Sequence, residues 1–203
     1  NTALKQWGIY LNRILYPDHK LMPQHKRWIH YTLKMVAGAL LERCRPQDRE
    51  ALLDALLRYY SQPDQLDDTT AFTLLETAAA LPLEDCGRER LEGLLSFAAA
   101  LAGREPLTVR AAALLLLRRL HPLLEDEPRF LEAAEALAAG DSGSLDLLRR
   151  QTVAQWRGNG AAALIAGLSD DSVSEIFLEN LKTATPWIIK EINIRLLTDF
   201  AAQ

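Results

Sequence analysis

Cysteine is nearly absent from this chain: Cys44 and Cys86 are the only two among 203 residues. They lie far apart and match no metal-ligand spacing, which excludes a dense disulfide framework and a cysteine-based zinc site. Two reduced, largely buried thiols in a reducing cytoplasm are expected. Aromatic residues make up 7% of the sequence. Together with few Val and Ile and little period-two alternation, that excludes an extensive sheet. Long apolar runs are also missing. The longest, 111–117 and 161–168, fall far short of the ~20 residues a membrane-spanning helix needs. No signal-peptide pattern precedes them. The first residue is Asn1 rather than Met, so the chain is expected to be a fragment or to have had its true start removed.

Catalytic and cofactor signatures are missing too. There is no phosphate loop, dinucleotide fingerprint, paired-cysteine zinc pattern, calcium loop or nucleophile elbow. Gly140-Asp141-Ser142-Gly143-Ser144 is similar to the nucleophile motif of trypsin-like serine proteases. That family needs a β-barrel and a His and Asp supplied from upstream. Here the motif joins two Ala-rich helical segments, so Asp141, Ser142 or Ser144 is read as a helix cap. His19, His25 and His30 cluster within twelve residues. His25 and His30 are five apart, about 140° around a helix axis, which does not suit a shared metal. The acidic clusters Asp67-Asp68, Glu125-Asp126-Glu127 and Asp170-Asp171 each stand just before an apolar run. They read as helix N-caps and dipole partners rather than paired catalytic carboxylates. No catalytic residue, metal or cofactor is therefore expected.

What is present is a helical composition. Half the chain is hydrophobic, at 49%, and rich in Leu and Ala, which fits a folded helical protein. Apolar spacing predicts about eleven helices. The first three cover 2–16, 24–44 and 47–60. Asp68 is read as the N-cap of a helix over 69–81. Pro82 separates it from a helix running from Glu84 or Arg88 to Ala102. Gly103-Arg104-Glu105-Pro106 is a tight connector. A strongly apolar helix follows over 108–120 and is expected to break at His121-Pro122. Further helices are expected at 129–139 and 144–156, then a loop at Arg157-Gly158-Asn159-Gly160. The last segments are 161–168, 171–183 and 186–202, the last with Ile188, Ile189, Ile192, Leu196 and Phe200 inward. The fold class is all-α, with antiparallel helix pairs joined by short breaks.

A repeat is visible in two segments. Val109-Arg110-Ala111-Ala112-Ala113-Leu114-Leu115-Leu116-Leu117 pairs with Ile189-Lys190-Glu191-Ile192-Asn193-Ile194-Arg195-Leu196-Leu197. Both run from a β-branched residue to a cation and then to spaced apolar positions. The offset is two periods of about 40 residues, in the range of HEAT and armadillo repeats. The pattern resembles the second helix of HEAT repeats over about residues 46–203. The resemblance implies an α-solenoid whose inner helices line a partner surface. An irregular helical bundle is the alternative. On the paired helices Arg110, Lys190, Asn193 and Arg195 are candidate partner contacts; capping of neighbouring carbonyls and exposure to solvent are the other roles open to them.

Charge divides the chain unevenly. Residues 1–45 hold eight Lys/Arg and two acids, whereas the remainder holds fifteen Lys/Arg and twenty-five acids. Net charges of about +6 and about −10 are thus joined in one chain. The basic part also holds Trp7, Tyr10, Tyr16, Trp28 and Tyr31. Trp7 and Trp28 fall on apolar helix faces and are expected in the core. Lys20, Lys26, Arg27 and Lys34 remain as candidate contacts on the outer face. The expected organisation is a basic helical hairpin at 1–45 and acidic HEAT-like repeats at 46–203, forming one continuous unit. The expected function is non-enzymatic: a protein-interaction or scaffolding module with a protein or peptide partner. One alternative is nucleic-acid binding through 1–45, disfavoured by an overall pI near 5.6. The other is an enzyme whose residues converge only in space.

Overall fold

The computed structural model describes residues 63–137 and 143–158, together with residues 188, 190, 191 and 194. The described residues are helical, with no strand among them. Five α-helices follow in order: α1 (Asp68–Ala79), α2 (Arg88–Ala102), α3 (Leu107–Leu124), α4 (Glu127–Ala136) and α5 (Gly143–Trp156). Short 3-10 turns at Pro63–Gln65 and Leu83–Asp85 precede α1 and α2. The all-α expectation therefore holds over this region. The segments expected at 2–16, 24–44, 47–60, 161–168 and 171–183, and the boundary near residue 45, lie outside the described residues. The chain divides into two compact units, Asn1–Phe97 and Ala98–Gln203.

In the first unit, α1 is capped by Asp67, one residue earlier than expected. Asp67 Oδ1 accepts the Thr70 amide at 2.8 Å, and Oδ2 accepts the Thr70 hydroxyl at 3.0 Å. Asp68 instead becomes the first helical residue, an acid in the first turn where the helix dipole favours it. One face of α1 buries Ala71, Leu74, Leu75 and Ala78. Thr70, Thr73 and Thr77 are buried as well. The 3-10 turn at Leu83–Asp85 buries Leu83, and the Cys86 amide closes it by donating to the Leu83 carbonyl at 3.0 Å. Gly87 then starts α2: its carbonyl accepts the amides of Arg90 and Leu91 at 3.0 and 3.2 Å. Leu91, Leu94, Leu95 and Phe97 recur at helical spacing on the buried side. The remaining turn of α2, in the second unit, buries Ala98, Leu101 and Ala102.

In the second unit, α3 is enclosed on every side near its start. Val109, Arg110, Ala111, Ala112, Ala113 and Leu114 are buried in succession, followed by Leu116, Leu117, Leu120 and Leu124. A helix apolar all round belongs in a core. Each buried Leu contributes roughly 1.5–3 kcal/mol relative to its exposed state. The helix also runs past the expected break. It continues through His121 and Pro122 for a further turn and ends at Glu125, in the left-handed region at φ 54°. Proline there removes the amide that would donate to residue 118, and its ring crowds that residue's carbonyl. Burial of Leu124 and the ring packing of His121 hold the extra turn in place.

Glu125 and Asp126 alone separate α3 from α4. Pro128 sits in the first turn of α4, where its fixed φ suits the helix and its missing amide costs nothing. Phe130, Ala133, Ala134 and Leu137 then form a buried stripe at i, i+3, i+4 and i+7. α5 buries Leu145, Leu147, Leu148, Gln151 and Thr152. The Thr152 hydroxyl donates to the Leu148 carbonyl at 2.7 Å. α3, α4 and α5 pack against one another in all three combinations. Gly158, just beyond α5, has φ 70°, as the loop expected at 157–160 requires.

Candidate functional site

Three interactions fix the directions of the three packed helices. Near the start of α3, Arg110 Nη1 donates to the carbonyl of Leu137, the residue that caps the end of α4, at 3.4 Å. At the other end of α3, His121 meets the ring of Phe130 in the opening turns of α4, with centroids 5.0 Å apart at 71°. α3 and α4 are therefore antiparallel. His121 also stacks on Trp156, the last residue of α5, at 4.9 Å and 11°. α5 thus runs parallel to α3, and the three helices alternate in direction. Phe130 and Trp156 close the cluster edge to face at 5.3 Å and 60°.

The cluster is an apolar clasp with one polar ring. Phe130 is fully buried, while His121 and Trp156 are part-exposed. Centroids 4.9–5.3 Å apart mean that the rings pack on each other, leaving no room for a ligand among them. Offset-stacked and edge-to-face pairs of this kind contribute about 0.5–1.5 kcal/mol beyond their burial. Sequence reasoning did not single out this trio. Its members are spread from 121 to 156, and only the packing of three helices unites them.

Arg110 takes one of the roles left open for it: it is 5% exposed and caps a carbonyl. At 3.4 Å the bond is longer than a strong N–H···O bond. Most of its contribution therefore comes from the buried side-chain stem. Lys190, its counterpart in the paired segment, is exposed. Another pair, four positions on, differs in the same way, with Leu114 fully buried and Ile194 64% exposed. The two segments match in residue type but place equivalent residues in different surroundings. Ile188 is buried, as its inward placement in the last helix required. Lys20, Lys26, Arg27, Lys34, Asn193 and Arg195 lie outside the described residues, as do His19, His25, His30, Asp141 and Ser142.

Charged side chains of α5 are organised around Asp146. Its Oδ1 accepts from Arg149 Nη2 at 2.6 Å and Nε at 3.0 Å, and its Oδ2 meets Arg150 Nε at 2.7 Å. In the first unit an exposed Arg88–Glu92 pair lies at 2.9 Å one turn apart. Both arrangements sit within single helices and are ordinary surface pairing. The Cys86 thiol donates to the Pro82 carbonyl, with Sγ 3.7 Å from the oxygen. Among the described residues no three His, Cys, Asp or Glu side chains gather to hold a metal ion. No helix among them is long and apolar enough to cross a membrane.

Compared with known proteins, the chain matches no family model, and no curated protein or solved structure is significantly similar to it.

Proposed function

We propose that this chain is a non-enzymatic interaction or scaffolding module, built of HEAT-like helix pairs, that docks a protein or peptide partner. The observation that supports this reading is the alternation of α3, α4 and α5, joined by short links and packed in all three combinations. Stacked, alternating helices are the unit from which α-solenoids are built, and such solenoids present extended partner surfaces. Of the candidate contacts, Lys190 is exposed and would be available to such a partner. Its proposed setting is the reducing cytoplasm, argued from two widely spaced cysteines. The test is affinity capture followed by calorimetry with the purified partner. Charge reversal at Lys190, Lys26 and Arg27 should weaken binding while the helical circular-dichroism signal is unchanged. Unaltered affinity in all three variants would remove these residues from the interface, and the absence of direct binding by every purified candidate would end the reading.

The charge split favours one second reading, nucleic-acid binding through residues 1–45. It requires affinity that falls steeply with salt, because neutralised phosphates release counterions. Gel-shift titrations with single- and double-stranded probes at ~50 mM salt test it. An unshifted probe at micromolar protein eliminates it.

A further inference from the structure

We draw no further inference here: the strongest candidate, the part-exposed His121–Trp156 stack where the ends of α3 and α5 meet, is filled by its own packing on Phe130, and nothing in the structure shows what covers its outer edge.

Discussion

The guanidinium of Arg110 reaches the Leu137 carbonyl across 27 positions of chain, with Nη1 3.4 Å from the oxygen. This places a cation inside the second unit, where its stem fills space between helices. Arg110→Ala should destabilise the protein by about 2–3 kcal/mol, through lost packing and a Leu137 carbonyl deprived of its donor. Arg110→Met, which keeps an unbranched stem without the charge, should recover more than half of that loss. Urea denaturation of the two variants measures the difference. Equal, negligible losses in both would show that the side chain is not a packing element.

The aromatic trio predicts a graded series. Phe130→Ala should cost about 3–5 kcal/mol, because a large side chain is removed from a filled interior. His121→Ala and Trp156→Ala should each cost less, since both residues are part-exposed. The double variant should reveal a coupling of about 0.5–1.5 kcal/mol between them. A double-mutant cycle by chemical denaturation provides the check, and strictly additive losses would mean that the stack contributes nothing of its own.

Three backbone positions should respond in different directions. Glu125 holds φ 54° at the end of α3, a conformation that suits glycine. Glu125→Gly should therefore stabilise the chain by about 1 kcal/mol. Gly158 holds φ 70°, and Gly158→Ala should cost about 1 kcal/mol for the same reason. Gly103 lies outside the left-handed region, and a Cβ there meets nothing within 4 Å. Gly103→Ala should gain about 0.4–1 kcal/mol by restricting the unfolded chain. Thermal unfolding resolves these signs at about 2–4 °C per kcal/mol.

Thr77 is 1% exposed, and its hydroxyl has no hydrogen-bond partner among the described residues. By contrast, Thr73 gives its hydroxyl to the Thr69 carbonyl at 2.8 Å. Thr77→Val keeps the shape and removes the stranded polar atom, so it should stabilise by about 1 kcal/mol. Thr73→Val, which gives up a hydrogen bond, should not. Parallel melts of the two variants make the comparison, and a lower melting temperature for Thr77→Val would contradict it.

Element boundaries set by local chemistry were legible in the sequence. Gly103 and Pro106 bracket the connector before α3, and Asp67-Asp68 marked the start of α1 to within one residue. The choice between those two acids depended on which side chain reaches the Thr70 amide, a matter of backbone geometry rather than residue type. Pro122 marks a break by residue type alone, because proline cannot donate an amide. The ring contacts of His121 with Phe130 and Trp156 offset that loss, and they arise only when α4 and α5 pack against α3. For Arg110 the sequence leaves three roles open, partner contact, carbonyl cap or solvent exposure, and the packing of α3 on α4 selects the cap. Its burial is a property of the helices around it, and nothing in its immediate neighbours reports it.

The two-residue link between α3 and α4 also bears on how the second unit assembles. Closing so short a connection restricts little chain, and the contacts it brings together are near neighbours in sequence. The α3–α4 hairpin can therefore gather its apolar stripe while the rest of the polypeptide is still unstructured. On this route α5 would dock onto a surface already made, with Trp156 meeting His121 and Phe130 together. A chain emerging from the ribosome amino terminus first could close this hairpin once Leu137 is clear, while later segments are still arriving.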